Sequence, residues 1–397
     1  MNKKYIIIFI LIILSITLTG CFVSPIPTIS EWTVMVYLDA DNDLESAGIN
    51  DINEMEMIGS TTEVNIVVQA DRIPDYDTSN SNWTTTRRYY ITQDNDPYII
   101  NSQLISDLGE LNMGNPQTLI DFTSWAVSNY PAKKYLLVIW NHGGGFRSPA
   151  YTTKDIAWDY TDGEDKITMP ELEYALSAIN TQIGKKIDIV GMDACLMAMT
   201  EVAYQIKDYA DILVASEESE PNDGWPYDTI LGELAGNPTM SSEQFAIDIV
   251  NEYIYSYPFE EVTQSAIDLS YIDSLASQLS NLALAIMDDS LTPKGVYIDA
   301  ACSSQYYGDP DFIDLYDFCD KIFDHSNSLE IKIMAIIIQQ TLSSTVINSD
   351  YSGWGVSGSK GLSIYFPWYY NYDSEKYNDT NFAQDTFWDE MLLYLGL

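Results

Sequence analysis

Short apolar runs alternate with amphipathic stretches over the first two-thirds of the chain. Residues 32–38, 63–69, 135–140, 187–191 and 212–215 are mostly apolar and four to eight residues long. Runs of that length suit strands buried on both faces of a parallel sheet. Between them, residues 44–58 and 116–130 carry helical spacing, with Leu119, Phe122, Ala126 and Val127 roughly on one face. Thr168, Pro170 and Glu171 form a helix start signal, and Leu172, Ala175, Leu176 and Ile179 follow it at helical intervals. A further helix is expected over residues 196–209. The alternation predicts an α/β fold: a three-layer α/β/α sandwich around a mostly parallel sheet with right-handed crossovers.

Two polar stretches, 73–86 and 147–166, read as surface loops. From about residue 241 the pattern becomes mainly helical, over 243–255, 275–287 and 329–342. It ends in a strand-like segment at 361–367. The expected organisation is a core over 31–240, with 241–397 either completing it or forming a small subdomain.

The first residues have a different character. Met1-Asn2-Lys3-Lys4 is a short basic start, residues 5–16 are almost wholly apolar, and Leu18-Thr19-Gly20-Cys21 follows. The run is too short for a comfortable membrane span and fits the core of a signal peptide. Its ending resembles a lipobox, so residues 1–20 are expected to be removed and Cys21 to carry lipid. Residues 22–30 then serve as a tether stiffened by two prolines. The protein is thus expected outside the cell, held to the outer face of the membrane. A formal net charge of −41 argues against nucleic-acid binding, which needs a basic footprint.

Three cysteines remain beyond Cys21: Cys195, Cys302 and Cys319. Cys302 and Cys319 are close enough in sequence to bridge, which would leave Cys195 over. A thiol kept outside the cell is open to oxidation and invites a functional explanation.

The chain has two histidines, His142 and His325. His142 lies in Trp140-Asn141-His142-Gly143-Gly144-Gly145, directly after one apolar run. Cys195 lies in Gly191-Met192-Asp193-Ala194-Cys195-Leu196-Met197, directly after another. Catalytic groups gather at the carboxyl ends of strands in open parallel sheets, so both are expected on one sheet edge. An imidazole beside a thiol takes its proton or stabilises the thiolate. Amides at Gly143 and Cys195 are candidates for holding an oxyanion, because glycine lets the backbone approach a carbonyl closely. Each residue alone has an ordinary reading, a packed cysteine or a turn histidine; their joint position at strand ends favours chemistry. His325, in a polar stretch between helices, reads as a surface or capping residue.

The two blocks, Asn-His-Gly-Gly-Gly and Met-Asp-Ala-Cys-Leu-Met, resemble those of the clostripain-like cysteine peptidases, relatives of caspases, gingipains and legumain. Segments 36–45, 216–227 and 361–367 are similar to that family as well, so the resemblance runs from about 32 to 370. Phe146 departs from it, standing where Trp is common. The resemblance implies a caspase-like fold with a helix-rich C-terminal part, a His142–Cys195 dyad, and an endopeptidase cleaving after Arg or Lys. It places Asp193 and Asp223 as pocket acids, with Trp225 beside them as a further substrate-binding residue. A carboxylate in a partly dry pocket suits a cationic side chain.

The resemblance also implies self-cleavage between the dyad positions. Arg147, Lys154 and Lys166 are the basic residues in that loop, and Lys154 is the preferred site. No cofactor is required for the chemistry. The family admits calcium as a structural or activating ion. Two acidic loops come into question, one with Asp39, Asp41, Asn42, Asp43 and Glu45, the other with Asp159, Asp162, Glu164 and Asp165. The first fails as an EF-hand, because Leu44 stands where Gly is needed, and no ligands are assigned. The competing readings are a binding lipoprotein that keeps the peptidase fold without turnover, and a carbohydrate-active enzyme using paired acids, for which no spacing singles out a pair.

Overall fold

The computed structural model describes residues 29–146, 156–369 and 372–397. Its strands are β1 (Ser30–Ala40), β2 (Val64–Arg72), β3 (Arg87–Tyr90), β4 (Gln103–Asp107), β5 (Ala132–Trp140), β6 (Ile156–Asp159), β7 (Asp165–Ile167), β8 (Ile187–Asp193), β9 (Ala210–Ala215), β10 (Val262–Asp268), β11 (Phe312–Asp314), β12 (Val346–Ser352) and β13 (Ser363–Tyr365). Nine of them form one sheet in the order β12-β10-β9-β8-β5-β1-β2-β3-β4. The central five, β9-β8-β5-β1-β2, are parallel, and the strands added at both edges are antiparallel.

The apolar runs become central strands because both their faces are covered. Along β5, Tyr135, Leu137 and Ile139 face one core, while Leu136, Val138 and Trp140 face the other. Such a strand needs apolar residues at every position rather than at alternate ones. The first core is closed by α2 (Pro116–Asn129), α3 (Met169–Ile183), α4 (Thr200–Ile206) and α7 (Ile272–Asp288). The second is closed by α1 (Glu45–Ile58), α5 (Tyr227–Gly236) and α6 (Ser242–Ser256). Helix α3 starts as expected: the Glu171 carboxylate accepts the Thr168 N–H at 3.0 Å, completing a capping box.

The C-terminal part adds β10 and β12 to the same sheet, together with α8 (Lys294–Cys302), α9 (Leu315–His325) and α10 (Leu329–Thr345). The strand expected at 361–367 is the short β13, which pairs with β11 outside the main sheet. Part of the 147–166 stretch is also structured, since β6 and β7 form a small antiparallel pair. Cys302 and Cys319, close enough in sequence to bridge, are separate thiols, Cys302 exposed and Cys319 buried. His325 ends α9, exposed, with Nδ1 2.8 Å from the Lys321 carbonyl.

The helix expected over 196–209 begins only at Thr200. Leu196 has φ +64°, a left-handed conformation that a helix cannot contain and that side-chain-bearing residues adopt at a cost. The chain therefore turns sharply straight after Cys195.

Candidate active site

Parallel pairing between β5 and β8 aligns Trp140 with Asp193. Counting two residues onward from each brings the chain to His142 and to Cys195. Both lie at the carboxyl edge of the central sheet and both line one cleft, with Leu44, Asn141, Asp193 and Glu220. Gly143 packs directly on the cysteine turn. A Cβ there would lie 2.4 Å from the Cys195 carbonyl oxygen and 2.9 Å from its nitrogen, so no side chain fits.

His142 is held from several sides. Its Nε2 lies 2.7 Å from Asp43 Oδ1, and the same carboxylate oxygen accepts the Tyr160 hydroxyl at 3.0 Å. Burial acts to raise the Asp43 carboxyl, but the hydrogen bond and charge of His142, with the Tyr160 hydroxyl, bring it below its ordinary range. The ring meets Trp158 edge-on at 6.3 Å. Asn141 anchors the turn: its side chain donates to Asp39 Oδ2 at 2.6 Å and to the Trp158 carbonyl at 3.2 Å, and accepts the His142 N–H.

Cys195 Sγ accepts the backbone N–H of Glu220 at 3.2 Å. Glu220 thus belongs to the site twice, through its amide and through its side chain. Its carboxyl bonds to that of Asp193, and burial with the Asp193 charge pushes it well above the ordinary range. Asp193 is buried and takes the Tyr227 hydroxyl at 2.8 Å and the Trp225 N–H at 3.3 Å on Oδ2. Burial still lifts it to about 6. Two carboxyls in contact hold one proton between them, since two bare charges so close repel. Behind them lie Asp51, raised by burial and the Asp193 charge, and Glu54, lifted to about 7 by burial and Asp228. The cleft floor therefore holds more carboxyl groups than can ionise together, an arrangement that a cationic group would relieve. Gly224, at φ +57°, lets the 220–224 loop pass over Asp193, where a Cβ would lie 3.0 Å from Oδ1.

The clostripain family model matches residues 36–394. The chain belongs to the clostripain family. It is 29% identical to clostripain of Hathewaya histolytica over 392 residues, 84% of this chain and 74% of that protein. Its fold is that of a secreted C11 cysteine protease from Bacteroides thetaiotaomicron solved with an irreversible peptide inhibitor (TM-score 0.65, 22% identity, 91% of this chain and 99% of that one). It is also that of an inactive zymogen C11 protease from Parabacteroides distasonis (TM-score 0.67, 19% identity, 91% and 99%). As a member of the clostripain family the protein is a cysteine-type endopeptidase with a caspase-like α/β fold.

Within this clostripain-family chain, the residues singled out by sequence fall into three groups. His142, Gly143, Asp193 and Cys195 come together at the cleft. Asp223 is exposed on the loop beside it and does not line it. Trp225, expected to contact substrate, is fully buried. Its ring lies against Gly191 of β8, and it serves the cleft through its backbone N–H to Asp193. Cys21, Arg147 and Lys154 lie outside the described residues, while Lys166 sits in β7. Sequence reasoning missed Asp43 as the partner of His142, and Glu220. Among the described residues, no helix is long and apolar enough to cross a membrane. Phe146, the departure from the family pattern, is buried against Tyr365 and Tyr377 at 5.0 and 5.1 Å.

Proposed function

We propose that the protein is a lipid-anchored endopeptidase that cleaves after Arg or Lys through His142 and Cys195. The observation that carries this reading is the paired register of β5 and β8, which sets both residues equally far beyond Trp140 and Asp193 on one cleft. With Asp43 on Nε2, proton transfer with the thiol is assigned to Nδ1. His142 takes the proton of Cys195, and the thiolate attacks the scissile carbonyl carbon, forming a C–S bond. The close contact of Gly143 with Cys195 favours their two amides as donors to the oxyanion. As the intermediate collapses the C–N bond breaks, and His142 returns its proton to the departing amine. Water, deprotonated by His142, then cleaves the thioester and restores the thiol.

Asp193, backed by the Glu220 carboxyl, is the group placed for a substrate guanidinium or ammonium, with Asp223 at the rim. Anchoring rests on Leu18-Thr19-Gly20-Cys21 after the apolar run, and places the enzyme on the outer face of the cell acting on proteins or peptides. Self-cleavage at Lys154 belongs to the same reading. The test is covalent: a peptidyl electrophile ending in Lys is incubated with the protein and the adduct mapped by mass spectrometry. Stoichiometric labelling of Cys195, blocked by an Arg peptide, is expected. Absence of any adduct on Cys195, even after mild proteolytic nicking of the 147–166 loop, would favour the binding-lipoprotein alternative.

A further inference from the structure

The segment that leads from β9 into the cleft also borders a second pocket. Glu220 lines the cleft, while Glu218, earlier on the same segment, lines an open pocket of about 580 Å³. The segment is fastened beside the nucleophile: the Leu196 N–H, directly after Cys195, donates to the Glu218 carbonyl at 3.1 Å. The other walls are the loop after α8, Glu261 before β10, Asp317 and Lys321 of α9, and the turn 355–358 after β12. Strand β10 runs antiparallel to β9, and β12 antiparallel to β10. The start of β10 and the end of β12 therefore lie at the same sheet edge as Cys195.

The pocket holds two carboxylates in fixed positions. Glu218 Oε1 accepts the N–H groups of Ser219 and Gly308 at 2.7 and 2.9 Å, and Glu261 Oε1 accepts that of Gly355 at 2.9 Å. Backbone and carboxylate fit closely here: a Cβ on Gly355 would lie 2.5 Å from Glu261 Oε1. Gln305 ties two walls together, giving Nε2 to the Gly355 carbonyl at 2.8 Å and taking the Gly358 N–H at 3.1 Å. Lys321 lies 3.4 Å from Asp317, whereas Glu218 and Glu261 have no cation within ion-pair distance among the described residues. Burial raises the Glu218 carboxyl, and the Glu261 charge adds to it. A cation between the two would relieve that repulsion, and each carboxylate keeps lone pairs to receive it. Tyr306, half-exposed, gives the pocket an aromatic wall, a surface on which the stem of a long cationic side chain packs.

We propose that this pocket is a second substrate subsite, in which Glu218, Glu261 and Tyr306 take an Arg or Lys side chain other than the one at the scissile bond. An extended peptide beside the 218–220 segment advances about 3.3 Å per residue. It passes from Glu220 to Glu218 in about two residues, which sets the spacing between the two basic side chains. The subsite rests on the peptidase reading of the cleft and narrows it: the favoured substrates are polypeptides with two basic residues close together.

The test uses internally quenched peptides with Arg before the scissile bond and Ala elsewhere, beside a set in which Lys replaces Ala singly at each neighbouring position. The readout is the ratio of kcat/KM for each Lys peptide to that for the Ala peptide on the same enzyme. Wild type is expected to give a ratio of about ten or more at one placement, carried by KM and weakened by salt, as for a charge-assisted hydrogen bond. Glu218→Gln and Glu261→Gln should bring that ratio toward one. Glu261→Lys should invert it, so that Glu at the same placement becomes the better residue. Glu261 is exposed, so its variants decide the matter if Glu218→Gln does not fold. Ratios near one at every placement while the Ala peptide is turned over, or a preference that survives both Glu261 variants, would overturn the subsite and leave the peptidase reading standing. No hydrolysis of any Arg peptide would overturn that reading and the subsite with it.

Discussion

Gly143 and Cys195 are in backbone contact: a methyl group on the Gly143 α-carbon would sit 2.4 Å from the Cys195 carbonyl oxygen. The loop after β5 and the loop after β8 are thus fitted to each other at the two residues assigned to the oxyanion. Gly143→Ala should force them apart. Overpacking of this kind costs about 1–3 kcal/mol, and a displaced oxyanion donor costs on the order of 10²–10³ in kcat. Thermal denaturation and steady-state kinetics should show both losses; wild-type kcat in the variant would remove Gly143 from the site.

Asp43 is a positioning residue for His142 through the 2.7 Å contact to Nε2. Asp43→Asn keeps the shape and removes the charge. A loss of about ten- to a hundredfold in kcat is expected, with KM little changed, since outer partners of a catalytic imidazole act on its orientation and basicity. The acidic limb of the kcat profile should also move to lower pH, because the imidazolium loses a stabilising negative neighbour. An unmoved limb would leave Asp43 with only a structural part.

Asp193 and Glu220 share a proton on the cleft floor; the charges of Asp51 and Glu54 interact with that of Asp193, and the Tyr227 hydroxyl donates to Asp193. On the proposed reading, a cationic substrate side chain binds the ionised form. The KM for an Arg substrate should therefore rise as pH falls through about 6, while that for a norleucine substrate stays flat. Asp193→Asn should cut kcat/KM for Arg about a hundredfold or more, as expected when one partner of a buried ion pair is removed, and spare norleucine. Parallel profiles for the two substrates would contradict the acidic floor.

Glu201 on α4 is fully buried, bonded to the Tyr365 N–H at 3.1 Å and the Tyr377 hydroxyl at 3.2 Å, and burial lifts it to about 7. Its folded value exceeds its unfolded one, about 4.3. The folded state thus holds the proton more tightly, and stability falls as pH rises between those values. Glu201→Gln should stabilise the protein at pH 8 by about 1–3 kcal/mol and leave it unchanged near pH 4. Urea unfolding at the two pH values gives the comparison; equal effects at both would refute the assignment.

The central strands were legible because burial on both faces demands an unbroken apolar run, as in residues 135–140. The antiparallel strands outside them were not. Val262–Asp268 lies between β12 and β9 and is mostly buried, yet reads Val-Thr-Gln-Ser-Ala-Ile-Asp; its polar side chains are satisfied by tertiary hydrogen bonds, Thr263 to Ser216 and Ser265 to the Ala215 and Gly361 carbonyls, which leave no apolar run to read. The positions of His142 and Cys195 were legible for the same reason as the strands, since each follows one. Their supports were not. Asp43 meets His142 across 99 residues, and its acidic loop suggested a metal more readily than an imidazole. Glu220 reaches the sulfur through its amide, a contact that leaves no mark on residue type. The turn at Leu196 was hidden behind a helical pattern, because a left-handed leucine is rare enough that spacing alone predicts otherwise.

The account turns on the thiol, the imidazole and the acidic floor acting together. The most direct measurement is hydrolysis of fluorogenic peptides bearing Arg, Lys, Asp or Leu before the scissile bond, by wild type and by Cys195→Ala side by side. Turnover after Arg or Lys that vanishes in the variant is the predicted result. Turnover that survives Cys195→Ala, or that favours Asp or Leu, would contradict it.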